Sequence, residues 1–287
     1  MKLLKMSLWG FILVIGVISF FNGNFIWAAG SNVVAPLRIH FIGGSGIDSA
    51  FIRTPNHHTL LINSGDCDTG KIDSYLKLKK VKQIDVLVIT HPGQAYFENI
   101  SRIIRKYKVG EIYAANAVMD TETAIAMQKL GKGGNVIIQN IQGGHFINID
   151  PALIIEILAP NKLKYDSLGD GEPILKIMYN KISFLFCGTI SHISKREILK
   201  LNYDLKADVL KLGSIGNNDG LNQRFLRAVS PRYAVITDEN VYSDANDPGL
   251  LMEQLLGAGL NLYRTNSEST IVFSTDGQKI KIKQEFQ

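Results

Sequence analysis

The chain is poor in the groups that usually announce chemistry. Its 287 residues include two cysteines and six histidines. Cys67 and Cys187 stand far apart, so a disulfide is permitted but not implied, and no disulfide framework can be read. Charge of one sign hardly accumulates. The formal net charge is +5, and with Lys2 and Lys5 set aside 29 basic residues face 26 acidic ones. That excess is too weak to argue nucleic-acid binding by itself. The glycine-rich turn 43–46 has no Lys-Ser/Thr behind it, which rules out a P-loop. Ser45 and Ser214 lie near glycines, but no G-x-S-x-G elbow with ordered acid and histidine partners exists. No internal repeat or low-complexity segment stands out.

What is present suits a folded, exported body. Hydrophobic residues make up 46% and charged ones 20%, enough for one large globular domain or two small ones. Residues 1–30 read as a targeting segment. Lys2 and Lys5 form a positive start, 6–21 is an uncharged apolar run, and Ala28-Ala29-Gly30 offers small residues for cleavage before Ser31. A retained membrane anchor is the alternative, reached by extending the apolar run through Asn22 and Asn24 to Trp27. Either way the body, residues 31–287, is expected outside the cytoplasm: periplasmic, cell-surface or secreted.

Strand patterns occupy 37–42, 50–54 and 59–63. Ile72, Tyr75 and Leu76 fall on one helical face before the basic run 77–82, which reads as a solvated helix end. Residues 85–90 form a buried strand. Ile100, Ile103, Ile104 and Tyr107 keep helical spacing, with a period starting at Glu98 and Gly110 placed to close the helix. Strand 111–114, helix 121–130 and strand 136–139 follow. The second half repeats this grammar. It has strand 153–158, a hairpin 173–179/182–186 through Asn180-Lys181, and a short helix opened by the capping box Ser194–Glu197. Strand 208–212, a helix marked by Leu221, Phe225 and Val229, and strand 232–237 come next. Asp247-Pro248 caps a helix that stops at Gly259, and strands 261–264, 270–274 and 279–282 finish the chain.

The organising stretch is 86–100, VLVITHPGQAYFENI. A buried strand runs abruptly into a loop that starts with His91, and a helix follows. Many α/β enzymes mount metal ligands in such a loop; here it is nearly empty of them. The stretch resembles the T-H-x-H-x-D-H loop of the metallo-β-lactamase fold, in the form carried by the hydrolase domain of ComEC-type DNA-uptake proteins. In that loop neutral imidazoles and a carboxylate hold two metals that acidify a bridging water. His91 and Pro92 match the motif. Gly93, Ala95 and Tyr96 replace the second histidine, the aspartate and the last histidine.

The same resemblance extends over 37–283 and implies an α/β fold, a four-layer αβ/βα sandwich. His40-Phe41-Ile42 and Asp48 match the family's opening, and Asn63 stands for the aspartate of its I-D-G-G. The T-G-D triplet becomes Cys187-Gly188-Thr189, and K-V-G-H-H-G-S becomes the run from Lys211 to Asn217, without either histidine. N-D-N-S reads Gly169-Asp170-Gly171-Glu172, and the Y-G-H-P-H-P loop reads 242–248 without an imidazole. Residues that shape backbone are kept, and metal ligands are lost at every site but one. His40, His57, His58, His145 and His192 have no partner at ligand spacing. Asp66-Cys67-Asp68 with His91 offers an alternative ligand set, against a simpler reading of the two acids as turn and cap residues. Through the resemblance, Cys67 and Cys187 both fall near the former metal pocket, where a disulfide would replace the metals as a cross-link.

The expectation is therefore an exported, metal-free pseudoenzyme that binds or scaffolds, with no catalytic residues and no cofactor. Its relict cleft is lined by Asp48, Asn63, Asp66, His91, Tyr96, Thr189, Ser214 and Asn217, and a nucleotide or nucleic acid is the ligand the family suggests. The alternative is a metal-dependent hydrolase, phosphodiesterase- or nuclease-like, with a rearranged mononuclear site holding Zn or Mn. A purely structural envelope partner is the third class. Membrane association follows only if the N-terminal segment is retained.

Overall fold

A computed structural model of the chain describes residues 35–44, 48–65, 69–91, 94–116, 125, 129, 136–188, 191–213, 223–237, 253, 255–265 and 269–286. All belong to one compact unit, Val34–Gln287. Residues 1–30, expected to be a targeting segment, lie outside the described residues. Among those described, no helix is long and apolar enough to cross a membrane.

Among the described residues fourteen strands form two sheets. The first sheet begins with an antiparallel meander of β1 (Leu37–Phe41), β2 (Ala50–Arg53) and β3 (Thr59–Ile62). Three parallel pairings then add β4 (Gln83–Ile89), β5 (Lys108–Ala114) and β6 (Ile137–Asn140). Antiparallel neighbours need only a short turn, whereas parallel ones need a crossover. Helices α1 (Thr69–Leu78) and α2 (Gln94–Lys106) supply the first two crossovers. The second sheet repeats the plan. The meander is β7 (Ile154–Ala159), β8 (Ile174–Tyr179) and β9 (Ile182–Cys187). The parallel run is β10 (Val209–Leu212), β11 (Tyr233–Ile236) and β12 (Asn261–Arg264), with α3 (His192–Lys200) and α4 (Gln223–Val229) leading to β10 and β11. Strands β13 (Ser269–Thr275) and β14 (Ile280–Phe286) return to the first sheet beside β1.

Period-two alternation explains the layering. In β1, Leu37, Ile39 and Phe41 point into the space between the sheets, where they meet Ile155, Ile177, Phe184 and Phe186 of the second sheet. Phe273 stacks edge-on against Phe41, Phe184, Tyr233 and Tyr263, which ties both sheets to one aromatic centre. The central parallel strands are apolar on both faces. Val86 and Val88 join the inter-sheet core, whereas Leu87 and Ile89 pack under Ile72, Leu76, Ile100 and Ile103 of the outer helices. Across the molecule Ile198, Phe225 and Val229 cover the second sheet in the same way. The result is the expected four-layer αβ/βα sandwich.

Some local expectations are corrected. Helix α2 starts at Gln94, four residues before the apolar period becomes visible. Gly110 does not close it but lies inside β5, because a Cβ there would sit 2.5 Å from the Asp85 carbonyl oxygen. The cap of α3 is Ser191, whose hydroxyl accepts the Ser194 N–H. Ser194 lies within the helix, and its own hydroxyl donates to the Asp170 carbonyl. Next to His145, Phe146 makes an isolated bridge to Glu156. Of the helix expected over 121–130, Ile125 and Lys129 are described and helical. Asp247-Pro248 lies outside the described residues, but Gly259 does close the following helix, with φ +71° and its N–H on the Leu256 carbonyl.

Candidate functional site: a cradle of paired charges

Parallel strands of both sheets end on the same side, and the residues just past those ends build the site, as they do at the carboxyl edges of open α/β sheets generally. Asp48 precedes β2, Asn63 follows β3, and Thr90 and His91 follow β4. Gly188 follows β9, Lys211 lies within β10, Gly213 follows it, and Thr237 follows β11. Glu172 leaves a short 3-10 turn, Leu168–Gly171.

Asn63 locks the first half of the cradle. Its backbone is left-handed at φ +58°, a conformation asparagine tolerates better than most residues. Its side-chain oxygen accepts the Thr90 N–H at 2.8 Å, and its amide donates to the Thr90 hydroxyl at 2.8 Å. The Ser49 hydroxyl donates to the Asn63 carbonyl at 3.0 Å. Side-chain ligation of β3 to β4 thus replaces the ladder where the strands run out.

The charges are paired, and all but the part-buried His91 are buried. Lys211 forms an ion pair with Asp48, and both are almost fully buried. The Thr237 hydroxyl donates to the same carboxylate at 2.8 Å. His91 Nδ1 lies 2.5 Å from Glu172 Oε1, on a glutamate that is 2% exposed. Burial raises the Asp48 carboxyl, but the Lys211 charge and hydrogen bond outweigh it and hold Asp48 below the usual carboxylate range. Burial likewise works against an imidazolium at His91. The hydrogen bond and charge of Glu172, with help from Asp48, reverse that and raise its pKa. Two glycines admit these groups. A Cβ on Gly188 would lie 2.5 Å from Glu172 Oε2, and one on Gly213 would lie 2.9 Å from Asp48 Oδ2. The backbone-shaping glycines therefore make room for an ion-pair network.

Those residues do not fit a divalent metal. An ammonium, a hard cation itself, already holds Asp48 inside the cradle, and a carboxylate engages the one imidazole. Among the described residues no three His, Cys, Asp or Glu side chains come together as a metal-binding group. A dinuclear centre wants about three protein ligands per metal.

Of the residues expected to line the cleft, Asp48, Asn63 and His91 are brought together. Tyr96 lies in the first turns of α2. Asp66, Thr189, Ser214 and Asn217 lie outside the described residues, as does Cys67. Cys187 is a free, fully buried thiol, which corrects the suggested cross-link. Burial pushes its pKa up to about 12, and Lys211 and Lys195 offset that only in part. Sequence reasoning missed Lys211, Glu172 and Thr237 as participants. The signal for Lys211 was a lone charge in the otherwise apolar strand VLKL.

No family model matches the chain. It is 21% identical over 201 residues to ComE operon protein 3 of Bacillus subtilis, covering 69% of this chain and 26% of that protein. Competence protein ComA of Neisseria gonorrhoeae is 24% identical over 234 residues, 80% of this chain and 31% of that one. The chain thus spans between a quarter and a third of these relatives. Among solved structures it resembles a metallo hydrolase from Ignicoccus hospitalis (TM-score 0.55, 14% identity, 84% of this chain and 100% of that one). It also resembles the metallo-beta-lactamase fold protein YhfI from Bacillus subtilis (0.52, 12%, 80% and 96%). Zn(2+)-bound PqqB from Methylobacterium extorquens is a third (0.52, 9%, 80% and 98%). The chain has the metallo-β-lactamase fold, and its sequence is similar to ComEC-type proteins.

Proposed function

We propose that this protein is an exported, metal-free pseudoenzyme of the metallo-β-lactamase fold, which binds or scaffolds through its relict cleft. The observation that carries the reading is the two charge contacts in the cradle, Lys211 with Asp48, both buried, and the part-buried His91 with the buried Glu172. Hydrolases of this fold gather ligands around cations; this chain supplies its own cation and balances it. The ligand expected in the cleft is a nucleotide or nucleic acid, in keeping with the competence proteins that the sequence resembles. The positive start and apolar run of segment 1–30 support export to the periplasm or cell surface, with membrane association if it is retained.

A metal-dependent hydrolase with one Zn or Mn is the second reading. It is favoured by the retention of His91 beside two buried acids and by the metal-bound proteins that share the fold. Elemental analysis of protein purified without chelator separates the two. The pseudoenzyme reading expects well under one zinc or manganese per chain, and no phosphodiesterase turnover on a nitrophenyl ester. Stoichiometric metal, with turnover lost in His91→Ala, would establish the hydrolase instead.

A further inference from the structure

A second polar site lies on the outer face of the first sheet and shares no residue with the cradle. Strands β14, β13, β1 and β2, flanked by the end of α1, enclose an open groove of about 350 Å³. Strand register sets its cations in a row: Lys281 opposite Ser274, Ser274 opposite Arg38, and Arg38 opposite Arg53. Like charges directly across a ladder are destabilising, so this row costs the fold something. Lys79 and Lys283 add two more cations. Glu285 is the single acid of the lining; Lys79 reaches it at 2.5 Å and Lys283 at 3.7 Å. Among the described residues, no acid pairs with Arg38 or Lys281. Five cations against one acid exceed the excess carried by the whole body outside its first five residues.

Parts of the groove are set in advance. The Arg53 guanidinium lies over the Phe51 ring at 5.6 Å and donates to the Lys79 carbonyl at 3.2 Å. Lys79 lies over the Tyr75 ring at 5.1 Å. The floor is neutral: burial, reinforced by Lys79, lowers the His40 pKa to about 3. The Tyr75 hydroxyl donates to Glu285 Oε2 at 2.9 Å, so the His40 Nδ1 at 2.8 Å carries the proton and donates to that hydroxyl. Guanidinium forks fixed by aromatic and carbonyl contacts match tetrahedral oxyanions, and fixing them beforehand reduces the cost of binding.

We propose that this groove binds a phosphate-bearing anion, with Arg38, Arg53 and Lys281 on its oxygens. The volume suits a pyrophosphate or a phospholipid headgroup and is near the lower end for small-molecule sites, roughly 300–1,000 Å³. The proposal is independent of what the cleft does.

Calorimetric titration with inorganic pyrophosphate at low salt tests it. The expected result is saturable one-to-one binding, weakened about tenfold or more in Arg38→Gln/Lys281→Gln, as charge-assisted hydrogen bonds of this kind imply. Lys181→Gln/Lys200→Gln removes the same charge from exposed positions elsewhere and should change affinity by less than about twofold at moderate salt. Circular dichroism checks that both pairs fold. Sedimentation with phosphatidylglycerol vesicles separates the sources. Vesicle binding displaced by pyrophosphate assigns a lipid headgroup, and pyrophosphate binding without vesicle binding assigns a soluble phosphate compound. Non-saturable heats, or equal losses in the two double variants, would overturn the proposal.

Discussion

The cradle and the outer groove handle charge in opposite ways. In the cradle two basic groups, Lys211 and His91, meet two carboxylates, Asp48 and Glu172; the set is balanced, and all of it but the part-buried His91 is buried. In the groove Arg38 and Lys281 stand exposed on a ladder beside a third cation. Buried charge must be compensated within the fold, since desolvation costs several kcal/mol per ion (roughly, in real proteins). Exposed charge need not be, because water and salt screen it. The cradle therefore reads as a region whose charges serve stability, and the groove as one whose charges await something outside the chain.

The largest effect should come from breaking the buried pair. Lys211→Met leaves Asp48 charged, buried and short of its main partner, and should cost about 3–5 kcal/mol. The check is urea unfolding at neutral pH, read as a fall in the midpoint. Asp48→Leu/Lys211→Met removes both charges and should recover most of that loss. If the double variant is no better than the single one, the pair is not the reason the cradle holds. Next comes Gly188→Ala. Its Cβ meets Glu172 Oε2 at 2.5 Å, so the glutamate must move off His91, at a cost of about 1–3 kcal/mol for such overpacking. Iodoacetamide labelling of Cys187, expected to be slow while the thiol is buried and its pKa raised, reports whether either variant opens the site.

The His91–Glu172 contact has a pH signature of fixed sign. The folded pKa of His91 is raised above its unfolded value of about 6.5. Its contribution is therefore fully present below about pH 6.5 and is lost as pH rises through the folded value. Asp48 behaves in the reverse sense: its folded pKa is depressed, so its contribution is present above about pH 4 and fails in acid. Glu172→Gln should cost about 1.5–3 kcal/mol near pH 6, the range for a hydrogen bond to a charged group. That gap should narrow steadily on going to pH 9. A gap that stays constant with pH would mean His91 is not held charged.

Much of the fold could be read from periodicity because local patterns carry it. Alternation in β1 separates Leu37, Ile39 and Phe41 from Arg38 and His40, and the turn at Asn180 falls where the hairpin needs a left-handed residue. The ends of elements were harder. The first turn of α2 has no apolar period, and Gly110 looks like a helix stop although its real constraint is the neighbouring Asp85 carbonyl. In the site, Asp48, Asn63 and His91 could be picked out by position in a family pattern. Their chemistry could not, since each gains its meaning from a residue remote in the chain. Lys211 and Glu172 were passed over for that reason: a buried lysine in VLKL can be explained only once Asp48 is seen beside it. The groove was illegible for a related cause. Lys281, Arg38 and Arg53 come from three strands, and only register aligns them.

The smallest effect should carry the opposite sign, and it bears most directly on the contrast. Arg38→Thr removes a cation that faces Arg53 across the ladder and puts a β-branched residue on a strand. If the groove's cations are kept for an external anion, the free protein should gain stability, by about 0.2–1 kcal/mol. The gain should be seen as a higher urea midpoint at low salt and should shrink as added salt screens the repulsion. Pyrophosphate should then stabilise the parent protein more than the variant, because the parent binds it more tightly and so gains more by mass action. The two midpoints should therefore converge as the ligand is added, and cross if the site is tight. A variant that is less stable than the parent without any ligand would make Arg38 a structural residue, and the outer face would then resemble the cradle after all.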